Sequence, residues 1–214
     1  MADTANFRVL NVSARAGTAR VFAGTSAAGY SDGPVSTSAI CGPQGVVWDG
    51  DSGGAILTDF CSNSPCYSTS SCCVSLSNLR KVQLGVTSTI GRGAWKDSCP
   101  AFVCSAASES PTFSYSCTSS GYQDGDLYSA SFNNPQGLAL DQKDPNSIYT
   151  YVADSSNNRI RRVLNSPPHS VTTIAGSTAS FANVINGDGT SANFYSPTDI
   201  TSDNNGQLWC VLIL

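Results

Sequence analysis

Short apolar runs that begin with proline and end with aspartate recur three times along the chain. They read PQGVVWD at Pro43–Asp49, PQGLALD at Pro135–Asp141 and PTDITSD at Pro197–Asp203. A short apolar run that is opened by proline and closed by a turn residue is typical of a buried strand. After a turn, each run is followed by a second one: GGAILTD ending at Asp59, SIYTYVAD ending at Asp154 and GQLWCV near Cys210. The pattern therefore predicts pairs of adjacent strands, here named a and b.

A third and a fourth strand, c and d, complete the repeat. ADSSNNRIRRV at Ala153–Val163 matches ADTANFRVLNV at Ala2–Val12, and in both copies an aspartate precedes an arginine by five residues. The middle copy keeps NLRKV, but Asp59 and Arg80 stand twenty-one residues apart, which indicates an insertion between strands b and c. Strand d ends in glycine each time, at Gly24, Gly91 and Gly176.

Four short antiparallel strands per repeat are typical of a β-propeller blade. Links rich in glycine, GYSDG at 29–33, GYQDG at 121–125 and NGDG at 186–189, lead to the next proline. The motif P-x-G-φ-φ-φ-D, followed by YVAD, N-x-R-φ and T-φ-x-G, resembles the NHL repeat, and its best copy is Pro135–Gly176. The resemblance implies an all-β fold: a partial NHL-type β-propeller with two complete four-stranded blades plus two half blades.

The expected units follow the repeat from one end of the chain to the other. They are a half blade at 1–24 (strands c and d), a blade at 43–91 with an insertion at 60–77, a second insertion at 92–120, the best-formed blade at 135–176, and a half blade at 197–214 (strands a and b). Propellers usually have about four to eight blades. We therefore expect this chain to be a fragment of a longer protein, or else to form a homodimer by exchanging half blades.

The residues repeated in every blade are expected to be structural, because catalysis needs one special residue and not one per repeat. Aspartate before the b–c turn suits hydrogen bonding to backbone N–H groups, and the arginines suit bonds to carboxylates or carbonyls. The repeated positions are Asp3, Arg8, Pro43, Asp49, Asp59, Arg80, Pro135, Asp141, Asp154, Arg159, Pro197 and Asp203.

Nine cysteines in 214 residues favour an extracellular or secretory compartment, although Met1–Leu10 shows no signal peptide. Eight lie in loops and are disulfide candidates, whereas Cys210 lies in a strand and is expected to be a free, buried thiol. The candidates are Cys41, Cys61, Cys66, Cys72, Cys73, Cys99, Cys104 and Cys117. Since strands alternate in direction, both insertions and Cys41 should emerge on the same face. We expect pairing mainly within each insertion, with Cys41 joining the second group.

Composition and motifs argue against several functions. The net charge of −4 opposes binding to nucleic acid, and no run of about 18 apolar residues exists to span a membrane. GDSGG at Gly50–Gly54 resembles the nucleophile loop of trypsin-like proteases, but the single histidine, His169, follows Ser52 where that family places it before. One histidine and no paired C-x2-C leave no recognisable zinc site, and no metal or other cofactor is expected.

The sequence therefore predicts a non-catalytic interaction or extracellular scaffold module. Loops on a rigid scaffold commonly carry binding, so a protein or glycan ligand is expected on the face with the insertions. An enzyme-associated propeller of the lyase or hydrolase type and a sensor domain of a larger receptor are the alternatives. Gln44, Gln136 and Thr198, at the entrances of strand a, are poor acid–base groups and speak against an enzyme.

Overall fold

The computed structural model describes residues 1–29, 31–50, 53–61, 76–91, 121–126, 129–141, 148–166, 168–177, 184–203 and 205–213. Within these ranges the regular structure consists of β-strands and three short 3-10 turns, with no α-helix. The strands form four antiparallel sheets, each contiguous in sequence. The all-β prediction is therefore confirmed.

The sheets follow one another along the chain. The first contains β1 (Ala2–Asp3), β2 (Arg8–Ser13) and β3 (Thr18–Ala23), in the order β1-β2-β3. The second contains β4 (Gly33–Pro34), β5 (Pro43–Asp49), β6 (Gly54–Cys61), β7 (Leu76–Gln83) and β8 (Val86–Gly91), in the order β4-β8-β7-β6-β5. The third contains β9 (Gly125–Asp126), β10 (Pro135–Leu140), β11 (Tyr149–Asp154), β12 (Arg159–Leu164) and β13 (Ser170–Ala175), in the order β10-β11-β12-β13-β9. The fourth pairs β14 (Pro197–Ser202) with β15 (Leu208–Leu212).

The three prolines of the sequence repeat each begin a strand at the end of a sheet. Pro43, Pro135 and Pro197 are the first residues of β5, β10 and β14, and each of these strands has one neighbouring strand in the described structure. The antiparallel register shifts directly after each proline. Proline is tolerated here because an edge position and a bulge both spare it from donating a ladder hydrogen bond.

The second and third sheets have five strands, where the repeat predicted four. The extra strands, β4 and β9, come from the glycine-rich links and pair with the last strand of the sheet, β8 and β13. Gly33 and Gly125 begin them with positive φ angles of 137° and 152°, a conformation that side chains disfavour. The link thus adds an outer strand to the sheet before the chain crosses to β5 or β10.

The strand register also corrects one equivalence in the repeat. Asp59 pairs with Asn78 and Leu57 with Arg80, whereas Asp154 pairs with Arg159 and Val152 with Arg161. Arg80 therefore corresponds to Arg161 and not to Arg159, because LRKV aligns with IRRV. The sequence repeat equated Asn78 and Arg80 with Asn157 and Arg159, which is two residues out of register. A shift of two residues leaves each strand side chain on the same face of the sheet, so the hydrophobic pattern does not reveal it.

Three apolar cores lie between consecutive sheets. Adjacent residues on one strand point to opposite faces, so Leu57 packs toward the first sheet while Ile56 packs toward the third. Each fully buried aliphatic side chain contributes about 1.5–3 kcal/mol. The cores contain Val9, Ala23, Ile40, Leu57 and Val82 between sheets one and two; Ile56, Leu79, Phe132, Val152 and Val163 between two and three; and Ala139, Ala153, Ile160 and Ile200 between three and four.

Candidate functional site

A buried arginine holds the third sheet to the link that precedes it. The guanidinium of Arg161 is fully buried, and its Nη1 donates to Asp154 Oδ2 at 2.7 Å and to the Ser131 carbonyl at 2.8 Å. Its Nη2 donates to the Gln123 carbonyl at 2.7 Å and to Asp124 Oδ1 at 2.8 Å. Four acceptors around one cation fix the link GYQDG against β12, since each bond is charge-assisted.

The second sheet contains the same arrangement. Arg80 is fully buried and donates from Nη1 to Asp59 Oδ2 at 3.2 Å and to the Ala39 carbonyl at 2.8 Å. From Nη2 it donates to the Ser31 carbonyl at 2.8 Å and to Asp32 Oδ1 at 3.0 Å. The link GYSDG is therefore held as GYQDG is. The sequence repeat indicated these links, but it gave no role to their aspartates.

The two inner aspartates, Asp59 and Asp154, also bind the backbone that leads into β5 and β10. Asp59 Oδ1 accepts N–H bonds from Cys41 and Gly42, and Asp154 Oδ1 accepts one from Asn133. Asp154 Oδ2 also accepts a bond from the Asn157 side chain in the 3-10 turn that follows, but the carboxylate makes no cap bond to a backbone N–H of that turn, where the sequence suggested one. Burial raises the pKa of both carboxyl groups, while the adjacent arginines and backbone donors oppose the rise.

The first sheet has a more exposed ion pair between Asp3 and Arg8, in which Arg8 stands at the strand position of Arg159. Arg8 Nε donates to Asp3 Oδ2 at 2.7 Å, and Asn6 donates to Asp3 Oδ1. These bonds lower the pKa of Asp3, with the Arg8 hydrogen bond as the largest cause. Phe7, at the end of the 3-10 turn Thr4–Asn6, has φ of 57°, as Asn158 has 56° at the corresponding place in the third sheet.

Connections of the second sheet emerge at one end of it. β6 ends at Cys61, opposite Leu76 at the start of β7, so both strand ends that flank this connection lie here, and Cys61 belongs to a strand where a loop was expected. β8 also ends there, with Gly91 opposite Leu79. Cys41, in the link to β5, is disulfide-bonded and lies beside Asp59. The predicted pairings among the other loop cysteines lie outside the described side chains.

Two clefts share one exposed tryptophan at the opposite end of the sheets. Trp48, near the end of β5, is 56% exposed and packs edge-to-face against Phe22, with ring centroids 5.9 Å apart. A cleft of about 230 Å³ lies between β5, β10 and β14, and one of about 360 Å³ lies between β5 and the first sheet. Sequence reasoning missed Trp48, although an aromatic residue replaced leucine there in an otherwise matching repeat.

The closing aspartates of the repeat take different partners. Asp49 forms an ion pair with Lys81 at 3.3 Å, and Asp141 accepts a hydrogen bond from the Tyr151 hydroxyl at 3.2 Å. Asp203 accepts N–H bonds from residues 205 and 207, which lowers its pKa. Burial and Asp141 together raise the pKa of Tyr151. These aspartates shape turns and strand ends.

The sequence motifs that hinted at catalysis are only partly described. Ser52 lies outside the described residues. His169 lies between β12 and β13, and its Nδ1 is 3.0 Å from the Leu164 carbonyl. Within the described ranges, no group of three or more His, Cys, Asp and Glu side chains is placed to hold a metal ion. No helix there is long and apolar enough to cross a membrane.

The strand-a entrances present amide, hydroxyl and backbone groups. Gln44 is exposed, whereas Gln136 and Thr198 are half-buried. The Gln136 carbonyl accepts a bond from Thr58 Oγ1, which joins β10 to the second sheet. Cys210, on β15, is a free thiol that is half-buried, less deeply than expected, and burial raises its pKa.

Comparison with known proteins gives structural likeness without a family. The sequence matches no protein-family model and no curated protein. A crystal structure of a protein of unknown function from Bacteroides thetaiotaomicron VPI-5482 superposes with a TM-score of 0.61 at 17% identity, covering 96% of this chain and 40% of that one. This chain shares its fold with part of that longer protein.

Two further solved structures are described as auxiliary nutrient binding proteins. The one from Bacteroides ovatus ATCC 8483 has a TM-score of 0.45 at 13% identity, covering 94% of this chain and 55% of that one. The other, from Bacteroides thetaiotaomicron VPI-5482, has a TM-score of 0.41 at 14% identity, covering 78% and 44%. This chain spans little more than half the length of the first and less than half that of the second.

Proposed function

We propose that this chain is a non-catalytic binding module, built of NHL-type repeats as part of a β-propeller and used as an extracellular scaffold. Consecutive antiparallel sheets that pack face to face, with β5, β10 and β14 side by side, support the arrangement as blades. Nine cysteines support the oxidising compartment.

The observation that carries the proposal is a network of buried bonds beneath the connections of the second sheet. The connection between β6 and β7 and the one that follows β8 emerge at the same end of the second sheet. Directly beneath, Asp59 and Arg80 lock the neighbouring link through bonds to Cys41, Gly42 and Ala39. Long loops fixed at their roots are suited to binding, because the scaffold bears the ordering cost. A protein or glycan is the proposed ligand at this end.

The register of the sheets supplies a direct experiment. In the third sheet the residues SSNN join Asp154 to Arg159, and Asp59 and Asn78 occupy the corresponding positions in the second. Replacing residues 60–77 with SSNN therefore removes the insertion together with the pairs Phe60–Ser77 and Cys61–Leu76, and leaves the other pairs of β6 and β7 in register. Leu84→Asn is the matched control at the other end, because Leu84 is 90% exposed with φ of 50°, which asparagine tolerates better.

Binding is measured on arrays of cell-surface ectodomains and of glycans, with each positive quantified by calorimetry. We expect a ligand that binds the unaltered protein and Leu84→Asn equally and fails to bind the shortened variant. The proposal is overturned if no arrayed molecule binds, or if every ligand binds the shortened variant with unchanged affinity.

A further inference from the structure

The cleft between β5, β10 and β14 lies at the end of the molecule opposite the connections. It has a volume of about 230 Å³ and is bordered by Trp48, Leu140 and Thr201, each from a different sheet. Trp48 pairs with Ala55, Leu140 with Thr150 and Thr201 with Trp209, so all three lie near the turns that follow β5, β10 and β14. The site is therefore built by strands rather than by loops, which favours a fixed geometry.

One wall of this cleft is the indole of Trp48. The ring is more than half exposed, although indole is among the most favourable groups to bury, and Phe22 supports it edge-to-face. An aromatic ring that is held in place yet exposed offers a flat apolar face to a ligand at little conformational cost.

The other described wall residues are uncharged and of two kinds, aliphatic side chains and the hydroxyl-bearing Thr201 and Ser202. Thr201 is exposed, and the Ser202 hydroxyl donates to the Leu140 carbonyl. β5, β10 and β14 each present a sheet edge without a strand neighbour in the described structure, and such an edge carries peptide N–H and C=O groups. None of the described residues that line the cleft is ionisable. Asp49, next to Trp48, is buried and paired with Lys81.

We propose that this cleft binds a neutral saccharide, with one sugar ring stacked on Trp48. A sugar ring has an apolar C–H face and a rim of hydroxyl groups that both donate and accept hydrogen bonds, which matches an indole flanked by hydroxyl and peptide groups. A phosphate, a nucleotide or an acidic ligand would meet no cation among the described residues that line the cleft. The second cleft, on the other side of Trp48, gives the chain of a longer saccharide room to continue along the first sheet.

The test is calorimetry and saturation-transfer NMR with four neutral probes: cellohexaose, maltohexaose, xylohexaose and mannohexaose. Hexagalacturonate serves as the acidic comparison. The variants are Trp48→Ala, Trp48→Phe and Thr201→Val, with Trp209→Ala as the matched control. Trp209 is also exposed, at 65%, but does not line either cleft.

We expect at least one neutral hexasaccharide to bind. Its affinity should fall about tenfold or more in Trp48→Ala, as for an aromatic anchor that the ligand buries, and the loss should be smaller in Trp48→Phe. Trp209→Ala leaves affinity unchanged. If Trp48→Ala does not fold, the weaker binding expected of Thr201→Val decides the question. The proposal is wrong if no neutral probe binds, if hexagalacturonate binds best, or if Trp48 and Thr201 variants bind normally. Ligands of the connection end bind these variants unchanged, so the two proposals fail separately.

Discussion

Replacing Arg161 with methionine tests the network that organises the third sheet. The change keeps an unbranched side chain but removes the cation, which leaves the fully buried Asp154 carboxylate without its partner. It also removes the donors to the Ser131 and Gln123 carbonyls. Removing one partner of a buried ion pair costs about 3–5 kcal/mol, a large part of the roughly 5–15 kcal/mol that stabilises a typical domain.

The measurement is urea unfolding at neutral pH, followed by tryptophan fluorescence. Arg162→Met is the matched control, because Arg162 is the next residue on β12 and is only half-buried, over the Tyr149 ring at 4.7 Å. We expect the control to change the free energy of unfolding by less than about 1 kcal/mol. Adding Asp154→Leu to Arg161→Met should recover part of the loss, since it removes the unpaired charge.

The pH dependence has a defined sign. Burial raises the folded-state pKa of Asp154, and the Arg161 guanidinium opposes that rise, so the pKa rises further in Arg161→Met. A carboxyl group with a raised folded pKa stabilises the fold below its ordinary value of 3.8 and loses that stabilisation as pH rises through the folded pKa. The deficit of Arg161→Met should therefore grow from pH 3.5 toward neutrality. A deficit that is equal to that of Arg162→Met, or that shrinks as pH rises, refutes the reasoning.

Three other results are expected. Gly137→Ala should lower the free energy of unfolding in urea by about 1–3 kcal/mol, because the added Cβ would lie 2.5 Å from Asp199 Cα. Gly50→Ala is the control, since a Cβ there has open space around it, and equal effects of the two changes would contradict the close packing of β10 on β14. Cys210 should react with iodoacetamide more slowly in the folded than in the unfolded protein, since burial raises its pKa, and equal rates measured by mass spectrometry would count against this. A fluorophosphonate probe should not label Ser52; stoichiometric labelling that is lost in Ser52→Ala would show a reactive serine there.

Strand positions could be read from the sequence because the repeat constrains backbone chemistry. Pro43, Pro135 and Pro197 begin strands, as expected, since proline is excluded from ladder positions that need an N–H. The extra strands β4 and β9 were missed because their two residues carry no periodic pattern. They form through tertiary bonds, such as those that the backbone N–H groups of Thr89 and Thr173 donate to Asp32 and Asp124.

Site residues were harder to predict than strands. The repeat singled out Arg159, which bonds the Asn157 carbonyl, but the buried ion pair with Asp154 uses Arg161, two residues along on the same face. A period of two cannot distinguish these arginines, and only the packing of the link behind β12 does so. Trp48 was likewise hidden, because an apolar residue in a strand reads as core until its exposure is known.

The buried network is confined to the two central sheets, and this bears on where the molecule can tolerate change. In the first sheet the strand register places Leu10 at the position of Arg161, and in the fourth it places Leu212 at the position of Asp154. Among the described residues, a cation therefore ties the link to strand c in the second and third sheets alone. Both connections proposed to bind ligand emerge from the second sheet, and one of them leads on to the third. The cysteine-bearing connections thus join the two sheets whose links are held by buried arginines, so that changes of sequence in these connections need not disturb the strands beneath them.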